Sequence, residues 1–138
     1  MLKNNENLRP MFKLLCFLRS AIHMLWMGIT VVPFACAILL AAPFASKAFL
    51  YRIARTWLHH VVVSLRCICG VQWRIQGMEN IPLEGVAPVI LAKHQSTYET
   101  FLLPAILPRP IAYVYKKELN WVPFFGWAIA QLDMVHID

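Results

Sequence analysis

The feature that most constrains this chain is a run of 26 residues, 20–45, that contains no Lys, Arg, Asp or Glu. As a helix the run would be roughly 39 Å long, at about 1.5 Å per residue, which exceeds the roughly 30 Å hydrocarbon core of a bilayer. The run also contains Pro33 and Pro43. It can therefore form a helix that spans the membrane, a kinked helix, or a hairpin that enters the membrane and returns. A cleaved signal peptide fits less well, because its apolar core is usually about 7 to 15 residues long. The run therefore predicts a membrane-associated helix.

The distribution of charge supports a membrane partner. The chain is 59% hydrophobic and 14% charged, whereas soluble domains are about 25% charged. Residues 1–70 contain eight Lys and Arg and Glu6 as their single acid, while residues 71–138 contain five basic and six acidic residues. The basic residues flank the uncharged run on both sides, so the positive-inside rule does not select an orientation. Positive charge in the apolar half predicts contact with anionic lipid and argues against nucleic acid, which requires a solvated basic surface.

A second helix is predicted over residues 47–69, ending before Gly70. One side of its helical wheel carries Arg52, Arg55, His59 and Arg66, and apolar side chains occupy much of the rest. This pattern is typical of an interfacial or membrane-packed helix with a basic stripe, and a core helix with solvated arginines remains the alternative. We expect free thiols and no metal site at the four cysteines, which lack the spacing of zinc or redox pairs; they are Cys16, Cys36, Cys67 and Cys69.

Residues 71–138 have the pattern of an α/β fold. Alternating side chains over 71–76 predict a half-buried strand, and the apolar run 88–92 predicts a buried one. A helix from near Ser96 to before Pro108, a strand over 111–115, a helical stretch over 124–132 and a strand beginning at 134 follow. This alternation predicts a parallel sheet with helical crossovers. The sequence thus divides into a membrane-associated helical region, 1–70, and the first part of an incomplete α/β domain, 71–138.

Three polar residues follow the predicted buried strand, namely Lys93, His94 and Glu99. Functional groups in open α/β sheets collect beyond the carboxyl ends of strands, and an imidazole oriented by a carboxylate is a common general base. Residues five apart do not meet on a regular helix, so the pair requires His94 to precede the helix, with Ser96 as its N-cap. The same S-x-x-E spacing is that of a capping box, in which Glu99 has a structural role alone. Both interpretations remain open on spacing.

A basic pair, Lys116 and Lys117, follows the next predicted strand and should emerge at the same end of the sheet as His94. Two ammonium groups there would suit phosphate or another anion, although a solvated charge pair is the plain alternative. The sequence W-V-P-F-F-G-W over 121–127 is a stiff aromatic turn that would pack beneath such a site or rest on lipid.

The segments K-H-Q-S-T-Y-E-T (93–100) and Y-K-K-E-L-N-W-V-P-F-F-G-W (115–127), followed by H-I-D (136–138), resemble two signature blocks of the glycerolipid acyltransferases, specifically the lysophosphatidic acid acyltransferase group. The resemblance implies that His94 is the catalytic base and Glu99 its orienting acid, with Lys116 and Lys117 near the phosphate of the acceptor and Lys117 the nearer match. Lys93 is a further candidate for binding the substrate. It further implies acyl transfer from acyl-CoA or acyl-carrier protein to the 2-hydroxyl of 1-acyl-sn-glycerol 3-phosphate, without a cofactor, metal or acyl-enzyme. The implied location is the bacterial inner membrane, with the site facing the cytoplasm.

Two departures from the family pattern qualify this expectation. Glu99 replaces the commoner Asp, and the chain ends at Asp138, where the family pattern continues with Arg and later an E-G-T-R-like block. We therefore expect the N-terminal part of an acyltransferase, with little or no activity by itself; a membrane-bound remnant or adaptor that binds anionic lipid is the alternative. A covalent mechanism through Ser96 or a cysteine is disfavoured because Gly-x-Ser-x-Gly is absent from the sequence.

Overall fold

The computed structural model describes residues 4–82, 87–93 and 96–138, with side chains from residue 10 onward. Helix α1 covers Asn4–Ala41 and continues through Pro33. Its segment Pro10–Ala41 is long and apolar enough to cross a membrane. The chain then turns over residues 42–45, where Pro43 lies. The prediction that this run is helical is confirmed as far as Ala41, and the turn after it sends the chain back along α1.

Helix α2 covers Lys47–Cys69, in agreement with the prediction. The Ser46 hydroxyl accepts a hydrogen bond from the Phe49 N–H at the first turn, and Gly70 ends the helix with a φ of 73°, a left-handed conformation that glycine adopts without a Cβ clash. The two helices run antiparallel: the buried His23 side chain of α1 contacts the main-chain oxygen of Val61 at 3.2 Å. Residues 4–69 therefore form a helical hairpin.

Two of the predicted strands are absent from the described structure. Residues 71–76 and 88–92 have no regular hydrogen-bonded partner and are not strands. The second segment is also exposed, not buried, with Val89 86% and Leu91 94% accessible. A parallel strand is buried only where neighbouring strands and helices cover both of its faces. Among the described residues the sheet has two strands, and neither pairs with these segments.

The predicted helix near Ser96 is α3, Tyr98–Ile106, and the last two predicted strands form as shorter elements. Strand β1 is Val114–Lys116 and strand β2 is Val135–Ile137, paired in parallel with Tyr115 opposite His136. A 3₁₀ helix over Lys117–Trp121 and helix α4, Phe125–Ile129, connect them. This strand–helix–strand unit confirms a parallel crossover, within a chain that is mainly helical.

The aromatic turn between the 3₁₀ helix and α4 is unusually tight. Phe124 has φ 62° and ψ −61°, and the Phe125 N–H donates to the Pro123 oxygen at 2.7 Å, which together define a classic γ-turn. Gly126 lies so close to the preceding 3₁₀ helix that an added Cβ would meet the Leu119 oxygen at 2.2 Å. The Phe124 side chain packs on the hydrophobic core. The turn therefore contributes to packing, one of its two predicted roles.

The hydrophobic core joins the hairpin to the α/β residues. Ala35 and Ile38 of α1, Leu50 of α2 and Ala128 of α4 form one buried cluster. Between α2 and α3, the Trp57 and Phe101 rings meet edge to face with centroids 6.1 Å apart. The packing thus crosses the sequence boundary at residue 70, and the hairpin holds α3 and α4 in place.

Candidate functional site

The start of α3 carries the candidate acid, Glu99. Its Oε2 accepts two hydrogen bonds from Ser96, one from the main-chain N–H and one from Oγ, both at 2.9 Å. Ser96 Oγ in turn accepts from the Tyr98 N–H at 3.2 Å. The contact between the glutamate and the Ser96 N–H is that of a capping box. The second bond, from the Ser96 hydroxyl to the Glu99 carboxylate, is not part of the capping-box motif.

The candidate base, His94, lies outside the described residues, as does Gln95. The pairing of His94 with Glu99 therefore stays a prediction. Lys93 is exposed in a segment without regular structure. Since the predicted strand 88–92 is absent, this lysine does not occupy the end of a strand in the described structure.

The two candidate lysines occupy the predicted end of β1. Lys116 is the last residue of the strand, and Lys117 begins the 3₁₀ helix that follows. Lys117 Nζ lies 3.3 Å from Asp138 Oδ1, with side chains 58% and 89% exposed. Ion pairs this accessible contribute little stability because water and salt screen them. Lys117 can therefore exchange Asp138 for another anion at small cost.

An apolar cavity of about 380 Å³ lies between the hairpin and the α/β residues, and sequence neighbours of both candidate clusters contribute to its wall. We call it the hairpin cavity. Thr97 and Thr100 line it from the start of α3, and Tyr115 and Leu119 line it on either side of the lysines. Its remaining wall is aliphatic and aromatic, and includes Val31, Phe34, Ala54, Trp57, Phe101, Phe125 and Ile129. The cavity was not predicted from the sequence, because its wall combines elements from both halves of the chain.

Three polar side chains of α2, spaced four residues apart, bond the main chain of the α/β residues. These residues are Lys47, Tyr51 and Arg55. Lys47 Nζ donates to the Gln131 oxygen at 2.6 Å, the Tyr51 hydroxyl accepts from the Ile111 N–H at 3.1 Å, and Arg55 Nη2 donates to the Leu107 oxygen at 2.8 Å. Arg55, assigned by the sequence to a basic stripe, is therefore turned toward protein.

Tyr113 connects the main chain of the candidate acid to the segment just before β1, the strand that ends at Lys116. It directly precedes β1, and its hydroxyl donates to the main-chain oxygen of Glu99 at 3.5 Å. Burial raises the pKa of Tyr113 to about 12, and the nearby Tyr51 hydroxyl adds to the increase. The Tyr113 side chain is therefore a neutral hydrogen-bond donor at neutral pH.

Comparison with known proteins gives a consistent result. Residues 72–138 match the family model described as Acyltransferase. The chain is 41% identical over 97 residues to a 1-acyl-sn-glycerol-3-phosphate acyltransferase of Pseudomonas aeruginosa, which covers 70% of this chain and 35% of that protein. It is 31% identical over 74 residues to the Saccharomyces cerevisiae protein of the same name, covering 54% of this chain and 24% of the relative.

A chloroplastic 1-acyl-sn-glycerol-3-phosphate acyltransferase of Brassica napus is 25% identical over 130 residues, which is 91% of this chain and 37% of the relative. The chain thus spans about a third of the length of the Pseudomonas and Brassica relatives. No solved structure has significant similarity to it. The similarity to the Brassica protein covers the helical hairpin as well as the α/β residues.

Proposed function

This chain belongs to the acyltransferase family, and we propose that the protein in which it occurs transfers a fatty acyl group to the 2-hydroxyl of 1-acyl-sn-glycerol 3-phosphate. The product would be phosphatidic acid, an intermediate of phospholipid synthesis. The names of the three relatives support this acceptor. The donor would be a thioester of coenzyme A or of acyl-carrier protein.

The observation that carries the proposal is the hairpin cavity beside the first turn of α3. Sites for apolar ligands are typically cavities of about 300–1,000 Å³ with few polar groups, and this one has about 380 Å³ and an almost wholly apolar wall. Thr97 and Thr100 border the cavity on either side of Glu99 in sequence. An acyl chain inside it would place its carbonyl end near the start of α3, where the proposed acid lies.

In the proposed reaction His94 takes the proton from the acceptor hydroxyl as the oxygen attacks the thioester carbonyl. The tetrahedral intermediate then breaks its carbon–sulfur bond, and the imidazolium returns the proton to the departing thiolate. Glu99 would orient the ring and stabilise its charged form, as a carboxylate does in other base–acid pairs. The chemistry requires no acyl-enzyme, because the acceptor oxygen attacks the donor directly.

The acceptor phosphate would bind at the exposed lysines, with Lys117 the principal contact and Lys116 and Lys93 contributing charge. Lysine ammonium groups are compact point charges suited to phosphate oxygens. The exposed position of Lys117 and its weak ion pair with Asp138 support this role. Because β1 and α3 border the same cavity, a phosphate there and an acyl chain inside could belong to one ternary complex.

We further propose that the hairpin lies along one membrane surface and does not span the bilayer. Large apolar side chains over 11–29 of α1 are exposed, for example Phe12 at 67% and Phe17 at 68%. The following part of α1 is occupied by protein, since Ala35 and Ile38 pack with Ala128 of α4. Because α1 packs against α4 on one face of this part, lipid does not surround the helix there. The bacterial inner membrane, on its cytoplasmic side, is the location we propose.

The test uses the full-length protein containing these residues, assayed in detergent for thiol release and phosphatidic acid formation from acyl-CoA and 1-acyl-sn-glycerol 3-phosphate. His94→Ala should reduce kcat by about 10²- to 10⁴-fold, the contribution of a general base, with the donor still bound. Substituting acyl-carrier protein for coenzyme A in the same assay identifies the donor. Near-normal turnover by His94→Ala, or vesicle binding without thiol release by the unaltered protein, would contradict the proposal.

A further inference from the structure

Ser96 does more at the start of α3 than cap the helix. In a capping box the serine hydroxyl accepts a main-chain N–H and the glutamate accepts the serine N–H, so the two side chains need not touch. Here Ser96 Oγ also lies 2.9 Å from Glu99 Oε2, so the side chains are bonded to each other. Helix formation alone does not require this contact.

The hydrogen-bond pattern fixes where the hydroxyl proton lies. Ser96 Oγ accepts from the Tyr98 N–H at 3.2 Å, which occupies one lone pair of the oxygen. The Glu99 carboxylate has no proton to donate when ionised, so the bond to Oε2 must use the serine O–H. The chain of donors therefore runs from the Tyr98 N–H through the Ser96 O–H to the carboxylate, and each bond polarises the next.

Two donors from one residue converge on the same carboxylate oxygen. The Ser96 main-chain N–H and hydroxyl both bond Oε2, so rotation of the carboxylate would break two charge-assisted hydrogen bonds together. Ser96 itself is exposed and Glu99 is half-buried. Each of the two bonds restricts the rotamers that the Glu99 side chain can adopt.

We propose that Ser96 is a positioning residue for acyl transfer, holding the Glu99 carboxylate in one orientation through its hydroxyl. This inference rests on the proposed role of Glu99 as the acid that orients the base. Glutamate is one methylene longer than aspartate, and a side chain with this extra torsion gains more from a second anchor. The structure assigns that anchor to the Ser96 hydroxyl.

The experiment compares Ser96→Gly, Ser96→Ala and Ser96→Thr in the full-length protein, with kcat, both KM values and Tm measured for each. Glycine is nearly as good an N-cap as serine, so Ser96→Gly removes the hydroxyl with little change in helix stability. Its kcat should fall about tenfold, the lower range for a lost hydrogen bond to a charged group. Both KM values should stay within about twofold, and Ser96→Thr, which restores a hydroxyl, should recover kcat to within about threefold.

Ser64→Ala is the matched control, because the Ser64 hydroxyl donates to the Val61 oxygen of its own helix at 2.9 Å. It should leave kcat unchanged. The decisive measurement is a double-mutant cycle with Glu99→Gln. If Ser96 acts through Glu99, adding Ser96→Gly to Glu99→Gln should cause no further loss of kcat, since residues that act as one unit are not additive.

The outcomes separate this inference from the proposed function. A normal kcat in Ser96→Gly, additive losses in the cycle, or a loss that follows Tm alone would overturn the positioning role while leaving the acyltransferase reaction intact. Trapping of a labelled acyl group on Ser96 would overturn it as well, by making the serine a nucleophile. Normal turnover by Glu99→Gln would instead remove the carboxylate from the reaction, and both proposals about this residue with it.

Discussion

Arg55 of α2 donates a hydrogen bond from Nη2 to the main-chain oxygen of Leu107 at 2.8 Å, and so caps the end of α3. The last carbonyls of a helix have no partner within the helix, and a guanidinium suits them by charge as well as geometry. The helix that carries Glu99 at its first turn is thus held at its last turn by the hairpin. The helical hairpin and the candidate site are parts of one packed unit.

Replacing Arg55 should destabilise the protein without altering its chemistry. Arg55→Met keeps the apolar stem but leaves the half-buried Leu107 carbonyl without its charged donor, which should cost about 1–3 kcal/mol. Arg52→Met is the control: Arg52 is exposed, and its guanidinium lies 5.4 Å from the Phe49 ring centroid. Its cost should stay within about 0.5–1 kcal/mol, the range for an exposed cation–π contact. Urea denaturation followed by circular dichroism measures both, and equal losses would contradict a capping role for Arg55.

The close approach at Gly126 predicts a second, larger loss of stability. In Gly126→Ala the new Cβ would meet the Leu119 oxygen at 2.2 Å and the Asn120 carbonyl carbon at 2.7 Å, both main-chain atoms that cannot rotate away. Overpacking of this kind costs about 1–3 kcal/mol or more. Gly28→Ala introduces the same methyl within α1, where nothing lies within 4 Å of the added atom, and should stabilise by up to about 1 kcal/mol. A comparison of thermal midpoints checks the opposite signs.

Local signals predicted the elements that depend on local contacts. Helix α2 covers the predicted residues and ends at Gly70, and α3 begins two residues after Ser96. The S-x-x-E spacing likewise predicted the contact between Glu99 and the Ser96 N–H. Caps and short-range hydrogen bonds involve residues three or four positions apart, so the sequence contains all the information they require.

Elements that depend on distant partners were predicted less well. The apolar residues 88–92 have the composition of a buried strand, yet burial depends on neighbours that the segment does not encode, and Leu91 is 94% exposed. Arg55 illustrates the converse: its position on the helical wheel suggested a membrane-facing stripe, and its partner, the Leu107 oxygen, lies 52 residues away. The hairpin cavity was missed for the same reason, since α1, α2, α3 and α4 all contribute to its wall.

If the hairpin cavity holds the acyl chain, enlarging a small residue in its wall should change the preferred chain length. Ala54 lines the cavity from α2, and Ala54→Leu would add three carbons to that wall. We expect kcat/KM for long-chain donors to fall by about tenfold relative to short-chain donors, since each excluded methylene is worth about 0.8 kcal/mol. Ala48→Leu, on the exposed side of the same helix, should leave the ratio unchanged. Parallel losses for all chain lengths would contradict this position for the chain.

The raised pKa of Tyr113 predicts a loss of stability at alkaline pH. The tyrosine pKa is about 10 in the unfolded chain and about 12 in the folded protein. The stabilisation from keeping the phenol neutral is therefore fully present below about pH 10 and is lost as the pH rises towards about 12. Tyr113→Phe cannot ionise, so its Tm should fall less between about pH 9 and about pH 11 than that of the unaltered protein. Tyr115→Phe, which instead removes the bond to Asn120 Oδ1, should retain the full alkaline decrease.

The exposed ion pair at the end of β1 allows a direct test of acceptor binding. Lys117→Ala should raise KM for 1-acyl-sn-glycerol 3-phosphate about tenfold, because a charge-assisted contact to phosphate is worth about 1.5–3 kcal/mol, and should change kcat little. A monoacylglycerol acceptor without the phosphate should show the same KM in both proteins. Asp138→Asn removes the competing anion at 3.3 Å from Lys117, and since exposed pairs contribute under about 1 kcal/mol, its KM should stay the same or fall slightly. Equal effects of Lys117→Ala on both acceptors would show that this lysine does not bind phosphate, whereas an effect confined to the phosphorylated acceptor would locate the anion site at the end of β1.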